Sequence, residues 1–316
     1  MRLAAVTALT AALLAVAPAA QAGVLLGIHG SASRFASQTG QKSAIRHTFM
    51  SFAQGRSLPR IVSSMGPVPM LALNTGAYGQ HETATPRGIA QGQNDTFLFQ
   101  LNAVVNAWPG DRFYIRPFPE MNAHWEATCA YNANGTRRDG AHSTLWNRKA
   151  LARIAVLTRG GTAAEVNLRL TALGLPGVSR DLPVTTPKLR IVWNPQGFGA
   201  PDVPGNSAQA YYPGDAYVDV IGDDLYDIRG HGATWAAADA LYKAHPRKAF
   251  AFPEWGLWGF DDAAYVRDMA KWVKQHPRVE LIAYYAGRPG SVFDLASKPA
   301  SRAAYRTLIT PLGALP

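Results

Sequence analysis

The most constraining feature of this chain is its rhythm. Eight short, almost purely apolar runs alternate with longer segments of mixed polarity. The runs are Gly23–Ile28, Ile45–Phe52, Val68–Leu73, Arg112–Arg116, Leu189–Trp193, Tyr217–Ile221, Ala249–Phe252 and Val279–Tyr285. A strand with one wet face alternates apolar and polar residues. These runs are near-continuous, so they read as strands buried on both faces. Between them, Asn94–Trp108 places Phe97, Leu98, Leu101, Val104, Val105 and Trp108 on one broad helical face. Ser143–Thr158, Thr162–Leu173, Ala233–Ala244 and Asp262–Gln275 keep the same period, and Asp261 or Asp262 can cap the last. Such alternation predicts a parallel α/β fold, and the strand count favours a (β/α)8 TIM barrel. An open doubly wound sheet is the alternative. Its signature would be a glycine-rich turn after the first strand. Gly27-Ile28-His29-Gly30 is not G-x-G-x-x-G, and no G-x-x-x-x-G-K-[ST] occurs. No repeat or linker marks a second domain, so residues 23–316 read as one domain. Within it, Gly160–Lys188 is longer than a normal barrel connection and reads as an insertion.

The first 22 residues stand apart. Arg2 precedes an apolar stretch, Leu3–Ala17, and Ala20-Gln21-Ala22 fits the small-x-small cleavage pattern. This predicts a signal peptide cut after Ala22, and a secreted or periplasmic protein. No later run reaches 18 apolar residues, so no transmembrane span is expected. Cys129 is the only cysteine, which excludes an internal disulfide and a cysteine-based metal cluster. His29, His47, His81, His124, His142 and His231 are scattered, with no H-E-x-x-H. No metal or other cofactor is expected. The net charge of +10 favours acidic partners, yet no Lys/Arg run exceeds two residues. A nucleic-acid binder concentrates its charge, so no nucleic-acid partner is expected. The chain is expected to be a monomer.

In a barrel, functional groups sit where strands end and loops begin. The fourth run ends in Arg116-Pro117-Phe118-Pro119-Glu120-Met121-Asn122, and the seventh in Phe252-Pro253-Glu254-Trp255-Gly256. Each delivers a glutamate beside an aromatic or amide residue. Two convergent carboxylates are the equipment of glycosidic bond cleavage: one protonates the leaving oxygen, the other attacks or activates water. Among Phe118, Pro119 and Trp125, the Glu120 carboxyl would be desolvated and its pKa raised, as suits an acid. A carboxylate held ionised by hydrogen-bond donors suits a nucleophile. Trp125, Trp193, Trp255 and Trp258 cluster near strand ends, where rings either stack on pyranose faces or pack in the core. Arg116 can hold the nucleophile ionised or pair inside the barrel. Asn122 can bind a sugar hydroxyl, orient Glu254, or be satisfied by backbone.

The stretch Ile115-Arg116-Pro117-Phe118-Pro119-Glu120-Met121-Asn122-Ala123-His124-Trp125 resembles the Arg-x-x-His-Glu-x-Asn-Gly-x-Trp segment of glycoside hydrolase family 26. That family holds β-mannanases, with some β-glucanases and β-1,3-xylanases, on a (β/α)8 barrel whose catalytic glutamates follow strands four and seven. The resemblance implies Glu120 as acid/base and Glu254 as nucleophile. Tyr211–Tyr226 is similar to the family's segment around strand six, which implies that Tyr226 hydrogen-bonds the nucleophile. Gly92-Gln93-Asn94-Asp95 resembles the G-x-x-D that opens the helix before strand four. The likeness spans roughly residues 23 to 290. The chain departs from the pattern at Pro119 for histidine, Ala123 for glycine and Gln196 for asparagine. Glu126-Ala127-Thr128-Cys129 follows Trp125 where a second tryptophan is usual. The expected activity is a retaining endo-β-glycanase acting on a polysaccharide, β-mannanase-like. The alternatives are a β-1,3-xylanase or β-glucanase, a hydrolase of an acidic bacterial polysaccharide, and a barrel that binds polysaccharide without cutting it.

Overall fold

The computed structural model describes residues 23–76, 82–228 and 235–314. The expected signal peptide, His81, His231 and the start of the helix expected from Ala233 lie outside these residues.

All eight apolar runs become strands: β1 (Val24–Gly30), β2 (Ile45–Ser51), β3 (Val68–Asn74), β4 (Phe113–Pro117), β5 (Leu189–Trp193), β6 (Val220–Asp227), β7 (Ala249–Leu257) and β8 (Val279–Gly287). They pair in parallel and in sequence order, and β1 pairs with both β8 and β2, closing a (β/α)8 TIM barrel. A ninth short strand, β9 (Gly313–Ala314), pairs with Val24 and Leu25 at the lower end of β1, while β2 takes Gly27 and Ile28. Around the barrel, in chain order, run α1 (Ala32–Thr39), α2 (Leu58–Ser63), α3 (Pro86–Ala90), α4 (Asp95–Ala107), α5 (Thr144–Arg159), α6 (Ala163–Ala172), α7 (Trp235–Ala244), α8 (Ala263–Gln275) and α9 (Pro299–Ala304).

Burial on both faces yields two cores. Leu25, Ile45, Met70, Tyr114, Val192, Val220, Ala251 and Leu281 fill the barrel interior. The outward strand residues pack with the helices, where Leu98, Leu101, Leu151 and Ile154 are buried. Local chemistry sets the helix ends. Ser143 caps α5, Asp262 caps α8, and Thr162 with Glu165 closes a capping box on α6. Gly160 ends α5 at φ 75°, and a Cβ there would lie 1.9 Å from the Pro183 carbonyl oxygen. Only glycine fits both constraints. The segment read as an insertion holds α6 and folds back through a Gly161–Leu182 bridge before β5.

Most strand ends fall within two residues of the sequence reading, and two strands run well beyond it. The sixth strand was expected over Tyr217–Ile221 but runs to Asp227, and the seventh was expected to stop at Phe252 but runs to Leu257. Asp223, Asp224 and Pro253 interrupt the apolar pattern that defines a doubly buried strand, yet backbone pairing continues through them. The consequence is functional. Gly222 pairs with Ala251 and Asp224 with Glu254, so β7 carries one extra residue between those pairs. This bulge shifts the alternation. Ala251 faces the barrel interior, and three residues later Glu254 points inward as well.

Candidate active site

Arg116, on β4, organises the C-terminal mouth of the barrel. Its guanidinium is fully buried and donates through Nη1 to Glu254 Oε1 and through Nη2 to Asp224 Oδ2. Asp224 Oδ1 in turn accepts the Glu254 backbone N–H at 3.1 Å. Tyr226, two residues further along β6, donates its hydroxyl to Glu254 Oε2 at 2.7 Å. Both carboxylate oxygens of Glu254 are therefore occupied by donors. The His47 ring nitrogen Nε2 lies 3.5 Å from Arg116 Nη1. Burial, then the Arg116 charge, holds His47 well below its ordinary pKa, so it is neutral beside the arginine. The Arg116 guanidinium is raised: the Asp224 and Glu254 charges outweigh its desolvation.

Glu120 is presented differently. It lies past the end of β4 on a turn where Phe118 and Glu120 have φ of 51° and 52°. Left-handed backbone costs a non-glycine residue on the order of 1–3 kcal/mol. The surroundings hold it there: Phe118 N–H donates to the Leu73 carbonyl at 2.9 Å, and Glu120 N–H to the Asn194 carbonyl at 2.8 Å. The Trp125 indole N–H donates to Glu120 Oε2 at 2.5 Å. Burial, then the Glu254 charge, raises the Glu120 pKa, while the Trp125 bond and the Arg116 charge pull the other way. Asp224 is also raised, by burial first. Three carboxyls thus gather around one arginine, and burial favours the protonated form of Glu120 and of Asp224.

The four tryptophans expected near the site separate into two pairs. Trp125 and Trp258 are 38% and 44% exposed. Trp258 sits edge-on to Tyr226, with ring centres 5.6 Å apart. Trp193 and Trp255, named as supporting or substrate-binding candidates, take the core-packing alternative and do not stack on a sugar. Both are fully buried. Trp193 packs against Tyr212 and His245, and Trp255 stacks on Tyr305 at 5.6 Å. They occupy outward strand positions and face the helices. For Asn122 the structure takes the alternative in which backbone satisfies it. It is fully buried, its Nδ2 donates to the Gln196 and Phe198 carbonyls, and its Oδ1 accepts the Gln196 N–H. It ties the loop after β4 to the loop after β5 and leaves no donor for a sugar.

Several residues at this mouth were not singled out from the sequence. Asp224 is the chief one, and two aspartates following a buried run were its signal. His29 stacks on Tyr285 at 4.6 Å, with Phe49 edge-on to His29 at 5.1 Å. These three lie near the ends of β1, β8 and β2, where the strand-end rule would have found them. Burial, then the charges of Glu120 and Glu254, pushes Glu126 up to about 8. Among the described residues, no group of three or more His, Cys, Asp or Glu is placed to hold a metal ion, and no helix is long and apolar enough to cross a membrane.

A barrel with its ionisable groups at the C-terminal ends of strands belongs to the broad class of (β/α)8 proteins. Within that class the chain is similar in fold to solved glycanases. It aligns with the Bacillus subtilis mannanase BCman at TM-score 0.57 and 17% identity, covering 91% of this chain and 86% of that one. A GH26 beta-mannanase from Bacteroides ovatus aligns at TM-score 0.54 and 15% identity, over 90% of both chains. A fungal beta-1,4-galactanase aligns at 0.53 and 11%, over 90% of this chain and 99% of that one. Identities this low show the shared fold. No protein-family model matches the chain, and no curated protein matches it.

Proposed function

We propose that this protein is a secreted or periplasmic retaining glycoside hydrolase that cuts internal β-linkages of a polysaccharide. Glu254 is the nucleophile and Glu120 the acid/base. The observation that carries this reading is the unlike treatment of the two glutamates at one barrel mouth. Glu254 accepts from Arg116 and Tyr226 on its two oxygens, which favours the anion. Glu120 is raised by burial and by the Glu254 charge, which favours the acid. In the first half-reaction Glu120 gives its proton to the leaving oxygen while Glu254 bonds to the anomeric carbon. Esterification removes the Glu254 charge. The Glu120 pKa then falls, and Glu120 takes a proton from the water that releases the sugar. Trp125 and Trp258 are exposed rings able to stack on sugars beside the pair.

The similarity in fold to mannanases and a galactanase makes neutral β-linked glycans the first substrates to try. The protein should be incubated with mannan, mixed-linkage glucan, β-1,3-xylan, galactan and an acidic bacterial polysaccharide. New reducing ends and the first-formed anomer are then followed by proton NMR. Hydrolysis with retained configuration supports the reading, and inverted product overturns the nucleophile. Binding without hydrolysis of any of them would make the chain a non-catalytic polysaccharide-binding barrel. Pro119, standing where the resembled family has a histidine, is the observation that keeps this outcome in play.

A further inference from the structure

The opposite end of the barrel holds a cavity of about 590 Å³, which none of the chemistry above uses. It opens at the N-terminal ends of the strands, walled by Leu25, Val68, Ala249 and Val279. Four cations line it, Arg112, Arg247, Lys248 and Arg278, against two carboxylates, Asp111 and Glu280. Lys248 donates to the Asp215 and Val218 carbonyls at 2.7 Å each. Arg278 donates to the His245 carbonyl at 2.8 Å and lies 3.6 Å over the Tyr242 ring. Those contacts fix two positive charges at the rim without neutralising them. Arg247 pairs with Asp215, and Glu280 with Arg190.

Arg112 is the exception. Among the described residues it makes no hydrogen bond and no ion pair. Inside the barrel, Tyr114 is fully buried and its hydroxyl faces the Glu280 carboxylate. Glu280 is turned inward by a bulge: Phe250 pairs with Val279 and the next residue, Ala251, with Leu281, leaving Glu280 as the extra residue. Burial, then the Glu280 charge, raises the Tyr114 phenol, so it stays a neutral donor.

We propose that this mouth is an anion-binding site, which takes a carboxylate or phosphate group on a sugar-sized ligand with Arg112 as its principal donor. A guanidinium presents paired N–H groups in a planar fork that matches either oxyanion. Lys248 and Arg278 are held by carbonyls before any ligand arrives, so little ordering is needed to create the field. The volume falls within the range of small-molecule sites. The site lies at the other end of the barrel from Glu120 and Glu254 and stands whether or not the protein hydrolyses glycans.

The test is a titration of inorganic phosphate and, separately, glucuronate into the full protein at low salt, followed by amide proton–nitrogen NMR. Saturable shifts are expected at Lys248, Ala249 and Val279, with none at Glu254. Arg112→Gln should weaken binding about tenfold or more, as loss of a charge-assisted bond implies. Arg112→Lys should restore part of it, and Arg60→Gln, on exposed α2, should change nothing. Should Arg112→Gln not fold, Arg247→Gln, whose side chain is largely exposed, should weaken binding in its place. Tighter binding of glucuronate identifies an acidic sugar as the ligand, and tighter binding of phosphate identifies a phosphorylated one. Shifts that never saturate, or equal losses in Arg60→Gln and Arg112→Gln, overturn the site and leave only diffuse surface charge.

Discussion

Glu254 and Glu120 share one barrel mouth but not one kind of support. Glu254 lies within β7, and its backbone N–H is anchored on Asp224. Glu120 lies beyond β4 on a turn with two left-handed residues. Both oxygens of Glu254 accept from buried or half-buried donors, whereas Glu120 accepts from the exposed Trp125. A rigid, donor-rich setting holds a charge in place. A loop setting with an exposed indole as donor lets a carboxyl gain and lose a proton. Under the proposed function, this difference gives two chemically identical side chains opposite work.

The strongest way to break this comparison is to remove each glutamate. Glu254→Ala should reduce turnover by about 10⁴-fold or more on every substrate, because covalent attack has no substitute. Glu120→Ala should cost roughly 10²–10⁴-fold on polysaccharide but little on an aryl glycoside whose leaving group needs no proton. Azide should rescue the two variants with opposite anomers. Identical leaving-group dependence in both variants would erase the proposed division of roles.

The next step removes the donors while keeping the carboxylates. Arg116→Met leaves Glu254 and Asp224 buried without their cation and should destabilise the fold by about 3–5 kcal/mol. Thermal unfolding would show this. Tyr226→Phe removes a single bond to Glu254 and should lower kcat by about ten- to a hundredfold with the fold intact. An unchanged kcat would mean that the hydroxyl does not hold the nucleophile.

How far this comparison was legible from sequence depends on what burial hides. The barrel and the two glutamates follow from local pattern, since doubly buried strands are apolar throughout and loops begin where that pattern stops. The face a side chain takes does not follow so simply. Without the bulge before Glu254, alternation would have turned that carboxyl away from the interior. Trp193 and Trp255 sit near strand ends as Trp125 does, yet outward positions bury them against helices and Tyr305. Asn122 is satisfied by the Gln196 backbone, a partner 74 residues away that local pattern does not reveal. Asp224 went unassigned because its role depends on Arg116, which comes from another strand.

A smaller effect sharpens the comparison on the Glu120 side. The Trp125 N–H favours the ionised form of Glu120. Trp125→Phe keeps an aromatic face and loses that donor, so the Glu120 pKa should rise further. The alkaline limb of the kcat/KM profile should move up in pH, with the acid limb unchanged. A downward move would mean that Trp125 stabilises the protonated form instead.

The last effect concerns stability and isolates what burial does to a carboxyl that lacks a cation. Asp223 neighbours Asp224, is 1% exposed, and accepts backbone N–H groups, from Gly197 at 3.1 Å and from Asp224, where Asp224 has Arg116. Burial pushes its pKa up to about 8. An unfolded aspartate titrates near 4, at about 3.9. Between those values the unfolded chain has released this proton and the folded chain still holds it, so the folded state binds more protons. Stability must then fall as pH rises through that window, and level off above about 8. Asp223→Asn keeps an oxygen for the Gly197 N–H and has no proton to lose. Its melting temperature should match or trail the parent near pH 4 and exceed it by a margin that grows towards pH 8. Parallel Tm–pH curves for the two proteins would show that Asp223 is ionised in the fold, and that burial without a cation does not suffice to hold a proton here.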